Sequence, residues 1–197
     1  MTGCARGLST AAALALLAAA PAAQKQATPA PPGETFDVTA TAAAGPGSVG
    51  TVTVPMVIEI DHYTPPHART TVTDALKYQG YPGFLNALRA APVAGSLKVG
   101  EDNFVIRWAR QQPSGSGRSI SVVTDKPVFF IGIGRPDAKT KAGYEVAVVQ
   151  FTVDSAGQGT GTMAAAARVK PDPPDGFRID DYADKPVKIT VTAHKQK

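Results

Sequence analysis

Residues 143–170 have the sequence GYEVAVVQFTVDSAGQGTGTMAAAARVK, in which two strand-like runs flank a short polar turn. Apolar and β-branched residues dominate the first run, and the turn SAGQG has the small residues that tight connections need. A connection this short joins antiparallel strands, because parallel strands require a long crossover between them. This stretch therefore predicts antiparallel pairing and argues against a parallel α/β sheet.

Similar runs, separated by Gly, Pro and Asp, extend over most of the chain. They include ETFDVTATAAA (34–44), TVTVPMVIEID (51–61), SLKVG (96–100), DNFVIRWARQ (102–111), RSISVVTD (118–125), PVFFIGIG (127–134), FRIDDY (177–182) and PVKITVTAH (186–194). Pro55 interrupts the second run, and since proline cannot donate to a ladder, that strand should lie at an edge or contain a bulge there. We predict a mainly β fold, a single antiparallel β-barrel or β-sandwich domain of about nine strands.

A helical pattern breaks this alternation near residues 67–91. Val72, Ala75 and Leu76 have helical spacing before Gly80, and the spacing resumes at 84, 85, 88 and 91 before Pro92 ends it. We therefore expect a helical hairpin inserted between strands, with its apolar stripe packed on the sheet.

The first 23 residues have the plan of a secretory signal peptide. A positive charge at Arg6 precedes an apolar run from Leu8 to Ala20, and small residues follow before Gln24. The run is shorter than the roughly 20 residues that cross a bilayer, and no later segment is long enough. We predict a signal peptide at 1–23, a Pro/Ala-rich linker at 24–33, one β-rich domain at 34–194 and a tail at 195–197. The mature protein would then be secreted or periplasmic, without a transmembrane segment.

Composition excludes several classes of function. The single cysteine, Cys4, precedes the apolar run of the leader, so the mature domain should contain no disulfide and no thiolate site. The formal net charge of +4 is small, and its basic residues are scattered. Nucleic-acid binding requires a clustered basic face, so we do not expect a nucleic-acid partner.

The order of the segments resembles that of a group of small exported bacterial hypothetical proteins. The similarity covers TVTVPMVIEIDHY, the helical pair, FVIRWARQQPSGSGRSISVVTDKPVFF, YEVAVVQFTVDSAGQGTGTMAAAARVK and DDYADKPVKITV. In the group, a second arginine stands in place of Ser119 and an arginine precedes the proline in place of Lys126. The group has no assigned activity, so the resemblance implies the architecture and no functional residue.

Motifs for catalysis, metal or nucleotide binding are weak. His62, His67 and His194 have no recognisable zinc spacing, and Ser116 in PSGSG lacks the strand-to-helix turn of a nucleophile elbow. The glycines of GIGRPDAKT and GQGTGT fit turns or close-packed backbone better than a phosphate loop. The aspartates of PDPPDGFRIDDYAD lack calcium-loop spacing and are typical of turns. We predict no catalytic motif, no metal and no cofactor.

The hairpin WARQQPSGSGRSISVV (108–123) and the residue before it provide the candidate ligand-binding residues Trp108, Arg110, Arg107 and Arg118. Strict alternation would place Phe104, Ile106, Trp108 and Arg110 on one face. Arg110 would then either close the core through a salt bridge with an acid such as Asp125, or form a cationic mouth suited to an amphipathic anion.

We therefore expect an exported, non-catalytic β-rich binding or accessory module. Its partner would be a small apolar or amphipathic ligand inside the barrel, or an envelope protein docked on a sheet edge or the helical hairpin. The alternative is an enzyme with a scattered polar site, using Arg107, Arg110, Asp125 and Glu145, which motif analysis does not detect.

Overall fold

The structure is a computed structural model that describes residues 33–43, 50–129, 141–183 and 185–194. The predicted signal peptide, the linker before Gly33 and the tail lie outside the described residues, as does most of the expected strand at 127–134. Within the described ranges, the chain is mainly β with one helical element. The elements are β1 (Glu34–Ala43), β2 (Thr51–Ile60), α1 (Pro66–Ala90), β3 (Gly95–Val99), β4 (Asp102–Ser114), β5 (Gly117–Thr124), β6 (Val146–Val153), β7 (Gln158–Asp172), β8 (Gly176–Tyr182) and β9 (Val187–Ala193).

Eight of these strands form a closed antiparallel barrel. The order is β6-β5-β4-β3-β2-β1-β9-β7, and β7 closes the ring by pairing with β6 as well as with β9. The strand β8 pairs with the C-terminal part of β7, residues 167–172, outside the ring. The predicted fold class is confirmed, and the closure identifies it as a barrel.

The barrel interior is filled by apolar side chains from alternating positions. Phe36 and Phe151 meet edge to face at 5.1 Å between ring centroids, and both are almost completely buried. Other buried interior residues include Val38, Met56, Ile58, Leu97, Ile106, Ile120, Val149 and Met163. Each of these side chains leaves water on folding, which makes this core the main stabilising feature of the ring.

Two glycines of GQGTGT allow β7 to pass close to this core. A Cβ at Gly161 would lie 2.6 Å from the Cβ of Phe151, and one at Gly159 would lie 2.1 Å from the carbonyl oxygen of Thr152. Both distances are shorter than atoms tolerate, so β7 requires glycine at these positions. The prediction that these glycines mark close-packed backbone is confirmed.

A second apolar core lies on the outer face of the barrel. The helix α1 and the hairpin β7–β8 cover outward-facing residues of β4, β5 and β6, among them Trp108, Val123, Val146 and Val148. Phe177 of β8 is at the centre of this layer, 4.8 Å from Trp108 and 5.2 Å from Phe84 between ring centroids. The expected docking of the helical stripe on the sheet is thus confirmed.

The expected helical pair is one element, α1, which breaks at Gly80. Gly80 has φ 71° and ψ −167°, and Pro82 follows two residues later. A glycine tolerates this backbone because it has no Cβ. Within the described residues, no helix combines the length and apolar character needed to cross a membrane.

A β-bulge in β4 corrects the predicted face of Trp108. Ile106 lies opposite Thr124 and Trp108 opposite Val123, so two steps along β4 match one step along β5. Beyond Arg107 the alternation is therefore inverted: Ala109 faces the barrel interior, and Trp108 faces outward. The expectation that Phe104 and Ile106 share a face with Trp108 and Arg110 was wrong, because strict alternation has no place for the extra residue of a bulge; Trp108 and Arg110 share the outward face.

Pro55 lies just beyond the segment of β2 that pairs with β3, residues 56–60. At that position only β1 pairs with β2. The strand is locally an edge there, as its proline predicts.

Candidate functional site

One end of the barrel, which we call the mouth, brings Glu34, Tyr63, Gln111 and Arg118 together. Arg118, the second residue of β5, donates through Nη1 to Glu34 Oε1 at 2.5 Å and to Gln111 Oε1 at 3.0 Å. Its guanidinium carbon lies 5.9 Å from the ring centroid of Phe36. The side chain is 29% exposed, against 16% for Glu34, so this ion pair lies at the boundary between the core and solvent.

Glu34 reaches the mouth because it is the first residue of β1 and has the same alternation as Phe36 and Val38, which face the interior. The hydrogen bond that Arg118 donates to Glu34 raises the pKa of the guanidinium above its already high value. The guanidinium therefore remains charged at neutral pH. The contact between Arg118 and Glu34 links strands that are 84 residues apart in sequence.

Tyr63 supplies a buried hydroxyl beside this ion pair. The residue follows β2, is 8% exposed and packs in the interior core. Its hydroxyl is close enough to the Glu34 carboxylate to interact with it, although no well-aligned hydrogen bond joins the two groups. Burial raises the pKa of Tyr63 well above its usual range, and the Glu34 charge raises it further. Tyr63 is therefore neutral at physiological pH, and its phenol lies against the Glu34 carboxylate inside the mouth.

An open pocket of about 420 Å³ lies at the mouth between two hairpin turns. The β4–β5 hairpin contributes Gln111, Pro113, Gly117 and Arg118 to its lining, and the β6–β7 turn contributes Asp154, Ser155 and Gly157. Asp154 caps its own turn, accepting hydrogen bonds from the backbone N–H groups of Ala156 and Gln158. The predicted site residue Arg118 thus lines a pocket, directly after the turn PSGSG (113–117).

Trp108 lies elsewhere, in the second core. It is 1% exposed, and its indole N–H has no partner within the described part of the chain. Phe177 and the residues of α1 separate it from solvent. Trp108 is accordingly a packing residue of the outer layer and does not line the pocket.

Arg110 forms a salt bridge, with a partner that the sequence did not identify. Its Nη2 lies 2.7 Å from Asp175 Oδ1, in the turn between β7 and β8. Arg69 of α1 binds the other carboxylate oxygen through Nε at 2.7 Å and Nη2 at 2.6 Å. This triad connects the barrel, the helix and the outer hairpin. The structure therefore supports the salt-bridge interpretation of Arg110. Its partner is Asp175, whereas the sequence suggested Asp125.

Asp125 instead binds Arg107, whose Nε lies 3.2 Å from Asp125 Oδ2 and whose Nη1 donates to the carbonyl of Ala91. Glu145 binds the backbone N–H of Gly143, within its own loop. The four residues of the enzyme hypothesis therefore belong to three separate contacts and do not converge. No catalytic arrangement follows from their geometry.

The histidines and aspartates considered as metal ligands do not form a metal site within the described residues. His194 Nε2 lies 2.7 Å from Asp37 Oδ2 on the outer surface. Three aspartates of the β7–β8 region are used in ion pairs: Asp175 with Arg69 and Arg110, Asp180 with Lys170 and Arg168, and Asp181 with Arg168. Among the described residues, no three His, Cys, Asp or Glu side chains are grouped so that they could hold a metal ion.

No protein-family model, curated protein or solved structure matches this chain. The resemblance to exported bacterial proteins stays a prediction from the sequence, and the functional interpretation rests on the geometry of the mouth.

Sequence reasoning identified Arg118 but missed Glu34, Tyr63 and Gln111. A signal for Glu34 was present: it is a charged residue in register with Phe36 and Val38, at the end of an apolar strand face. Charges are rarely placed on such a face unless they reach a partner or solvent. No comparable signal marked Tyr63, because its position depends on how the segment after β2 packs against β4.

Proposed function

We propose that this protein is an exported, non-catalytic β-barrel module that binds a small amphipathic molecule at its mouth. Export rests on the predicted signal peptide at 1–23 and the linker that follows it. The binding role rests on one observation: the open pocket of about 420 Å³ at the mouth has the polar side chains of Arg118, Gln111 and Asp154 in its lining.

The chemistry of the mouth suits a small molecule better than a long apolar chain. Bulky residues such as Phe36 and Phe151 fill the barrel below it, so a ligand would lie across the mouth and between the two turns. Pro113 and the glycines of the turns offer a small apolar surface for its hydrocarbon part. The guanidinium of Arg118 and the amide of Gln111 offer directional hydrogen bonds to its polar part. Docking on an envelope protein remains a separate prediction from the sequence.

Native mass spectrometry of the protein purified from its own source tests this proposal. We expect a co-purifying small molecule, which is lost in Gln111→Leu and in Arg118→Met because these changes remove polar groups from the pocket. Arg168→Met is a matched control, since Arg168 forms its ion pairs on the outer hairpin, away from the mouth. An unliganded wild-type mass, with no rise in melting temperature across a panel of lipids and metabolites, would contradict the proposal.

A further inference from the structure

We infer that Glu34 sets the ligand class of the mouth, so that it accepts an uncharged polar head group and rejects an anionic one. This inference rests on the proposed binding function and specifies its ligand. It also departs from the expectation of an amphipathic anion, which the position of an arginine alone had suggested.

The first step concerns the charge of Arg118. Its guanidinium touches the Glu34 carboxylate at 2.5 Å, and both side chains are largely shielded from water. A carboxylate at this distance cancels most of the field of the guanidinium outside the pair. An anionic ligand therefore gains much less from Arg118 than it would from an unpaired arginine.

The second step concerns the other charge at the rim. Asp154 is the remaining ionisable side chain in the described lining of the pocket, and it is acidic. An anionic head group would meet one compensated cation and one carboxylate. Like charges placed together at a binding site disfavour the wrong partner strongly.

The third step concerns hydrogen bonds. The contacts of Arg118 with Glu34 and Gln111 both use Nη1, so Nε and Nη2 have no described protein acceptor. A neutral carbonyl, amide or hydroxyl group can accept or exchange these hydrogen bonds without bringing a charge to the mouth. The site therefore offers an uncharged head group the hydrogen bonds without the charge repulsion.

Matched probes test this selectivity. Octanamide and octanoate have the same chain and nearly the same head-group shape, but only octanoate is charged at pH 7. Isothermal titration of the full chain should show octanamide binding at least about tenfold more tightly than octanoate to the wild type. Glu34→Gln uncovers the charge of Arg118 while keeping a hydrogen-bonding oxygen, and it should raise octanoate affinity about tenfold or more.

Two further variants make the result specific. Glu59→Gln changes the chain charge equally and breaks a more exposed pair away from the mouth, Lys98 Nζ to Glu59 Oε1 at 2.9 Å. It should leave both affinities unchanged. The double variant Glu34→Gln/Arg118→Gln has no uncovered cation, and it should not gain octanoate binding. Circular dichroism establishes that each variant is folded.

The possible outcomes separate the two claims. Octanoate binding to the wild type as tightly as octanamide would overturn the inference and leave the binding function intact. A Glu34→Gln variant that is folded but gains no octanoate affinity would overturn it as well. If neither probe binds the wild type or Glu34→Gln, the binding function at the mouth fails and the inference fails with it.

Discussion

At the scale of single residues, the ion pairs of this protein differ in what they stabilise. Glu34 and Arg118 meet at the mouth, whereas Asp175 joins Arg110 of β4 and Arg69 of α1 under the outer hairpin. The side chains of Asp175 and Arg110 are 15% and 10% exposed. Removing one member of such a shielded group leaves the remaining charges without a counter-ion and without full hydration.

Replacing Asp175 by Asn should therefore lower the free energy of unfolding by about 2–4 kcal/mol. This is less than the cost of breaking a fully buried pair, because these side chains retain some exposure to solvent. Urea unfolding followed by the fluorescence of Trp108, the only tryptophan, measures this change close to the hairpin. Asp180→Asn is the control, since the partners of Asp180 are about half exposed and the effect should be much smaller. Equal effects of the two substitutions would show that the triad does not hold the hairpin.

At the scale of elements, α1 depends on its break at Gly80. The N-terminal arm contributes Val72 and Leu76 to the second core, and the C-terminal arm contributes Phe84 and Leu88. With φ at 71° and ψ at −167°, Gly80 has a backbone conformation that side chains with a Cβ avoid. The break thus allows both arms to bury their apolar residues against one curved surface.

Gly80→Ala should lower the free energy of unfolding by about 1–2 kcal/mol, because backbone strain exceeds the gain from a less flexible unfolded chain. Thermal unfolding monitored by circular dichroism provides the measurement. Asp74→Ala, at an exposed position in the same helix, should change the stability less. If Gly80→Ala were stabilising, the break would be a tolerated irregularity and not a requirement of the packing.

At the scale of the whole molecule, two apolar cores share one sheet, and each contains a shielded tyrosine. Tyr63 packs in the barrel interior, and Tyr81 packs against the outer core. The Tyr81 hydroxyl accepts a hydrogen bond from the backbone N–H of Glu145. Burial is the main cause that raises the pKa of both hydroxyls in the folded protein. Raising the pH above 10 should therefore destabilise both cores, because each contains a tyrosine that burial keeps protonated.

The sign of the pH dependence follows from proton binding. In the unfolded chain these tyrosines lose their protons near pH 10, whereas in the folded protein they keep them to higher pH. The folded state thus binds more protons above pH 10, and the free energy of unfolding should fall as the pH rises further. Tyr63→Phe and Tyr81→Phe together should flatten this decline in urea unfolding between pH 9 and about pH 11. If the free energy of unfolding of the double variant fell with pH as steeply as that of the wild type, the decline would not come from these two tyrosines.

The sequence by itself determined the nine strands seen in the described residues, the turns between them, the antiparallel pairing and the place of the helix, while the strand it also predicted at 127–134 lies mostly outside those residues. These features depend on residues close together in the chain: alternation with period two, small residues in turns, and helical spacing around Gly80. Only the tertiary structure decided the closure of the barrel, the outward direction of Trp108, and the pairing of Arg110 with Asp175 and of Arg118 with Glu34. The physical reason is register: the bulge at Arg107 inverts every later side chain of β4, and the ion pairs join residues that only the closed sheet brings together.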